Sequence, residues 1–164
     1  MGVDIHMFIV DKNKNILKED IFDGRNSEWF RNLQDCGNDS EYDYCPIVYG
    51  WKSICSEDLV KKYADRQSYY GHFHISVKLF KDWFEKYNPH KKAGWVTTYE
   101  KWEIENHGYC PENFFRYSLD KDDIIEDMHF IEWINVFDCS LWLYNYLKDN
   151  KIPDNAWIVY CFDC

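Results

Sequence analysis

Residues Tyr70-Gly71-His72-Phe73-His74-Ile75-Ser76 run directly into Val77-Lys78-Leu79-Phe80-Lys81-Asp82-Trp83-Phe84-Glu85-Lys86-Tyr87. This junction constrains the fold more than any other stretch. The first segment reads as extended chain. The second repeats apolar positions at helical spacing, and Asn88-Pro89 stops it. A strand that feeds straight into an amphipathic helix calls for a sheet with helices laid against it. Extended geometry turns His72, His74 and Ser76 to one side. Ser76 is a natural N-cap, and the first turn that follows offers N–H groups that attract anions.

Two further stretches predict strands. Gly2 to Val10 (GVDIHMFIV) is rich in β-formers, with Val3, Ile5, Met7 and Ile9 on one face and Asp4, His6, Phe8 and Val10 on the other. The polar turn 11–15 lets Ile16 to Ile21 return as the second arm of a hairpin. Near the other end, Asn155 to Phe162 (NAWIVYCF) reads as a strand buried on both faces, able to pair with the first. Helices are expected over Glu28 to Leu33, capped by Ser27, and over Glu57 to Tyr63, capped by Ser56. Residues 35–55 are turn-rich and acidic and predict a long loop, and 91–94 a short one. The 95–105 stretch carries Trp95, Tyr99 and Trp102 at helical spacing and is assigned to helix. Residues 122–147 predict one long helix, or two broken near Asp138-Cys139-Ser140.

The expectation is a single α+β domain spanning residues 1–164. A small, mainly antiparallel sheet joins the N-terminal hairpin to the C-terminal strand, with helices packed on one face. At 164 residues the chain can bury its own core, and an aromatic content of 20% argues for packing rather than disorder.

A net charge of −10 opposes a broad nucleic-acid-binding face. A small anionic ligand in a local pocket remains open, as does docking onto a basic partner. Seven cysteines, an odd number, accompany an N-terminus without a basic region and no apolar run of membrane-spanning length. These features predict a soluble, cytoplasmic protein with free thiols. Cys161-x-x-Cys164 has no second pair to complete a zinc knuckle. Gly2 lacks the Ser or Thr at position 6 that myristoylation needs.

Met1-Gly2-Val3-Asp4-Ile5-His6 resembles the opening of a family of small, largely uncharacterised bacteriophage and prophage proteins that begin Met-Gly-Cys-Asp-Ile-His. The resemblance continues at Arg25-Asn26, at His72-Phe73-His74-Ile75-Ser76 and in the closing strand Trp157 to Phe162. Val3 stands where that family often has Cys, which argues against thiol chemistry there. The resemblance implies phage origin, hence the cytoplasm of a host cell, and a shared site, without naming a reaction.

The shared polar residues define that site, expected as a cleft between strand 2–10 and segment 70–77. One reading is phosphoester recognition or hydrolysis. His6 and His74 act as acid and base, Arg25 and Asn26 contact phosphate, and Ser76 with helix N–H groups meets an oxyanion. His74-Ile75-Ser76 resembles one half of the two-histidine phosphodiesterases, but neither His6-Met7-Phe8 nor His129-Phe130-Ile131 supplies the second half. Phage origin makes nucleotide messengers of host anti-phage defence natural ligands, cleaved or sequestered. A second reading is a divalent metal, zinc or manganese, held by Asp4, His6, His72 and His74, closed and structural or open and hydrolytic. A third is an acidic, aromatic-rich inhibitor that docks on a host protein, with an exposed aromatic patch rimmed by acids. A purely structural account makes Ser76 a helix cap, His72 and His74 satisfied core histidines, and Asp4 with Arg25 a buried ion pair. His90, His107 and His129 are assigned structural places only.

Overall fold

The structure, a computed structural model, describes residues 4–22, 48–64, 69–108, 128–136 and 138–163. The expected helix over 28–33, Arg25, Asn26 and most of the acidic 35–55 stretch lie outside the described residues. Strand β1, Asp4–Val10, is buried at Ile5 and from Met7 to Val10. Asp11 then turns the chain. Its carboxylate accepts the N–H groups of Asn13 and Asn15 at 2.8 and 2.9 Å, while Lys14 takes a left-handed φ of 67°. Strand β2, Ile16–Lys18, is shorter than the expected 16–21, because at Asp20 the backbone leaves extended geometry with φ 46°.

Within the stretch expected to be loop, Val48–Tyr49 is strand β3. It pairs with β4 through Val48 opposite His74 and Tyr49 opposite Phe73. Ser56 caps helix α1, Glu57–Leu59, by accepting the Leu59 N–H at 3.3 Å. That helix widens into a π-helical turn over Val60–Ala64. Strand β4, Tyr69–Ser76, passes directly into helix α2, Val77–Tyr87, as the junction predicts. Ser76 Oγ accepts the Leu79 N–H at 3.1 Å. Val77, Phe80 and Phe84 form the buried stripe of α2.

Two helical expectations are corrected. Lys91–Thr97 is strand β5, so neither the loop at 91–94 nor a helix beginning at 95 is present. Helix α3 starts at Thr98 and runs to His107, set by a capping box in which Thr97 and Glu100 satisfy each other's backbone N–H groups. In the 122–147 stretch, Met128–Ile134 is strand β6, and helix α4 covers only Cys139–Asp149. β6 alternates half-buried and exposed residues along its length and pairs antiparallel with β5 from Lys91–Ile134 to Thr97–Met128. That period-two burial wins over the near-helical spacing of its apolar residues. The closing strand is β7, Trp157–Asp163.

The fold is α+β, with a mainly antiparallel sheet that joins the N-terminal hairpin to the C-terminal strand. The strands order as β2-β1-β7-β4-β3, and β5-β6 form a separate pair. Two compact units result, one from Met1–Tyr87 with Tyr144–Cys164 and one from Asn88–Leu143. In the first, β7 is the central strand, flanked by β1 and β4, both antiparallel to it. Ile158 to Phe162 are buried without interruption. Removing each such side chain from water contributes roughly 1.5–3 kcal/mol. One sheet face carries Phe8, Val10, Val159 and Cys161, packed under Trp51, Cys55, Leu59 and Tyr63. The other carries buried Ile5, Met7, Ile9, Ile158, Tyr160 and Phe162. On α2, Phe84 stacks on Tyr144 of α4 with ring centroids 4.4 Å apart.

Candidate functional site

Strand register places every described site residue on the same sheet face. Asp4 stands opposite Asp163, His6 opposite Cys161, and Phe8 opposite Val159. On the other side of β7, Tyr69 faces Asp163, His74 faces Val159, and Ser76 faces Trp157. Between Tyr70 and Phe73 the register shifts, so Gly71 and His72 together oppose Cys161. This is a β-bulge, and Gly71 supplies the positive φ of 63° that such bulges need. His6 and His72 therefore share a row, while His74 shares its row with Phe8. Strands β1 and β4 flank β7, so their backbones lie roughly two strand spacings, about 10 Å, apart.

His72 and His74 are pinned to main chain. The His72 Nε2–H donates to the Tyr63 carbonyl at 3.1 Å, and the His74 Nδ1–H donates to the Gly50 carbonyl at 2.5 Å. A carbonyl can only accept, so each bond fixes the ring's tautomer. Trp51 sits edge-on to His72 at 5.1 Å and sends its own Nε1–H to the Phe73 carbonyl at 2.9 Å. Trp157 sits edge-on to His74 at 5.4 Å. Both imidazoles are buried, and together these bonds fasten residues 50–63 over the sheet. Ser76 caps α2.

His6 has a different setting. Its Nδ1–H donates to Asp20 Oδ1 at 3.2 Å. Tyr69 stands edge-on to the ring at 5.5 Å, and Tyr63 lies tilted at 6.0 Å. Asp20 holds a left-handed backbone, φ 46°, to present its carboxylate. The bond orients the imidazole and, in its neutral form, turns the Nε2 lone pair away from Asp20, the arrangement of a base held by a carboxylate. Beside it, Lys62 lies over the Tyr63 ring at 5.2 Å and pairs with Glu19 at 3.5 Å. The Tyr63 hydroxyl and Glu19 raise the Lys62 pKa, so it stays charged. Burial, with Asp20 nearby, raises that of Tyr63, which stays a proton donor.

Sequence reasoning singled out His6 but missed Asp20, Tyr63, Tyr69 and Lys62. The only trace of Asp20 is a Glu-Asp pair where the second strand runs out. Asp4, His6, His72 and His74, expected as metal ligands, do not converge. Among the described residues no group of three or more His, Cys, Asp or Glu side chains is placed to hold an ion. His107 pairs with Glu103 at 3.1 Å, and His129 Nε2 lies 3.0 Å from Thr98 Oγ1, both structural places. Cys161 is a buried free thiol in the terminal strand, and Cys55 joins it in the same core cluster. Burial pushes both thiols up to about 12.

No family model, curated protein or solved structure matches this chain. No helix among the described residues is long and apolar enough to cross a membrane.

Proposed function

We propose that this protein is a phage-type accessory factor that binds a small phosphorylated or nucleotide ligand at the His6 end of the sheet face. The observation that carries the reading is the His6–Asp20 pair walled by Tyr63 and Tyr69. Tyr69, the half-buried ring of the two, suits a nucleobase, since every base offers a π-face, and buried Tyr63 backs it. The oriented imidazole suits a phosphate, as hydrogen-bond partner or as general base for its hydrolysis. Lys62 supplies a cation beside the walls. Arg25 and Asn26, a few residues beyond Asp20 in sequence, are the further phosphate contacts of this proposal. His74 and His72 take no chemical part in it, because their bonds to Gly50 and Tyr63 account for their burial.

The test is a thermal-shift and calorimetric screen with inorganic phosphate, mononucleotides and cyclic mononucleotides. A ligand at a hundred times its Kd stabilises by about 2.7 kcal/mol, which raises the melting temperature by several degrees. The shift is expected to vanish in His6→Ala and to fall in Asp20→Asn. No response to the whole panel, or a response that survives both substitutions, refutes the reading.

A second reading has its own observation. Tyr99 and Trp102 are one helical turn apart on α3 and each is about half exposed, with Glu103 and Glu105 on the same helix. An acidic protein that docks through these rings would lose its partner in Trp102→Ala and keep it in the His6→Ala, His74→Ala double variant. Pull-down with both variants separates it from the first reading.

A further inference from the structure

We infer that His72 is a positioning residue for His6, acting through Tyr63. The inference rests on the proposed role of His6 but concerns what aims that side chain.

Tyr63 joins the two histidines. Its carbonyl accepts the His72 Nε2–H at 3.1 Å, and its ring lies 6.0 Å from His6. The same ring packs on Phe8 at 4.9 Å, Tyr69 at 5.1 Å and Trp51 at 6.3 Å. Tyr63 belongs to the π-helical turn Val60–Ala64. Such turns are rare and recur at functional sites, because the extra residue re-aims the side chains around it. Carbonyls in the last turn of a helix lack further donors along that helix. Here His72 supplies one. Alternation with Phe73 and His74 puts His72 on this face, and the bulge at Gly71 brings Tyr69 onto it as well. Without the extra residue, Tyr69 would fall on the opposite face of β4.

The parts therefore act in series. His72 holds the Tyr63 backbone, the Tyr63 ring forms one wall against His6, and the bulge at Gly71 sets Tyr69 as the other. Asp20 fixes the imidazole from its Nδ1 side. His72 touches no ligand in this scheme.

Nitrogen NMR of the imidazoles at one fixed pH tests it. In the native protein His6 is expected as a single tautomer with Nδ1 protonated, with a nuclear Overhauser contact between its ring and that of Tyr63. His72 is expected to show a slowly exchanging Nε2–H. His72→Phe keeps a ring against Trp51 and removes the donor. It is expected to lose the contact between His6 and Tyr63, while the His6 tautomer, which Asp20 sets, stays. His72→Gln, which restores an N–H donor, is expected to bring the contact back. A binding arm uses adenosine monophosphate, for which His72→Phe weakens affinity about tenfold or more and His72→Gln recovers it. A His6–Tyr63 contact unmoved in folded His72→Phe overturns the inference. So does a native protein without the His6–Tyr63 contact or the protected His72 proton, a result that needs no variant to fold. If the NMR signatures follow the scheme and no phosphorylated probe binds, the positioning stands and the proposed function fails.

Discussion

Replacing Gly71 with alanine places a methyl group where the structure has no room. A Cβ at this position would sit 2.4 Å from Phe162 Cδ2, 2.7 Å from Cε2, and 3.2 Å from Phe73 Cε2. The backbone there is left-handed, φ 63°, which costs an L-residue about 1–2 kcal/mol. Phe162 is fully buried in the central strand and cannot swing into water. Relieving the clash means moving a packed ring, which costs a further 1–3 kcal/mol or so. The sum is about 2–5 kcal/mol, a large share of the roughly 5–15 kcal/mol that holds a typical domain. Gly50→Ala is the control. It also has a positive φ, 113°, but nothing lies within 4 Å of its added methyl, so it reports backbone strain without the clash. Urea titration of both variants, followed by tryptophan fluorescence, gives the two losses. Phe162→Ala closes a double-mutant cycle: with the ring gone, the clash part of the Gly71→Ala penalty should disappear, a coupling of about 1–3 kcal/mol. A Gly71→Ala protein within about 0.5 kcal/mol of the native one, or a cycle without coupling, would show that Phe162 does not lie against this backbone.

Further outcomes follow from the hydrogen bonds and thiols. His74→Phe leaves the Gly50 carbonyl without its donor and should cost about 1–3 kcal/mol in urea unfolding, with a loss below about 0.5 kcal/mol counting against the pin. Ser76→Ala and Thr97→Ala each remove a helix cap and should lower stability by about 1 kcal/mol, while an exposed Ser53→Ala change serves as reference. Cys55 and Cys161, pushed up to about 12 by burial, should resist a thiol reagent at pH 8 in the native protein and react once it is unfolded. The sign of the linked stability is set by the same shift. Below about pH 8.5 both states keep these thiols protonated and the contribution is whole. Above it the unfolded chain ionises first, so stability falls as pH rises toward 12. A denaturation midpoint unchanged between pH 8 and pH 10.5 would contradict the burial of these groups.

The parts of the fold legible in the sequence are those where one periodicity had no rival. β1 and β7 are β-rich runs bounded by turn residues, and α2 is an uninterrupted helical stripe between a serine cap and Asn88-Pro89. Residues 95–105 misled because Trp95, Tyr99 and Trp102 straddle a boundary. Trp95 belongs to a strand and the other two to a helix, and only the Thr97–Glu100 capping box marks the change. β6 misled because both its faces carry large apolar residues, which erases the polar alternation that announces a half-exposed strand. At the site, the shared face of Asp4, His6, His72 and His74 follows from strand alternation and was legible. Their separation across β7 was not, because it depends on which strand lies between them. The pairing of His6 with Asp20 depends on a left-handed backbone at Asp20, and the pins on Gly50 and Tyr63 use carbonyls, which every residue has and no residue type announces.

The sheet order also governs how the first unit comes to be made. Its innermost strand, β7, follows its four other described strands in sequence, and β1 pairs with it from Asp4–Asp163 to Val10–Trp157. No local hairpin can stand in for that pairing. While the chain is being synthesised, β1 and β4 have no central strand to join them until Trp157–Asp163 follows. Pairings between residues so far apart in sequence close a large loop and slow the search. Folding of this unit should therefore be late and cooperative, with β7 as the final insertion, and β1 and β4 remain open to strand exchange until that moment.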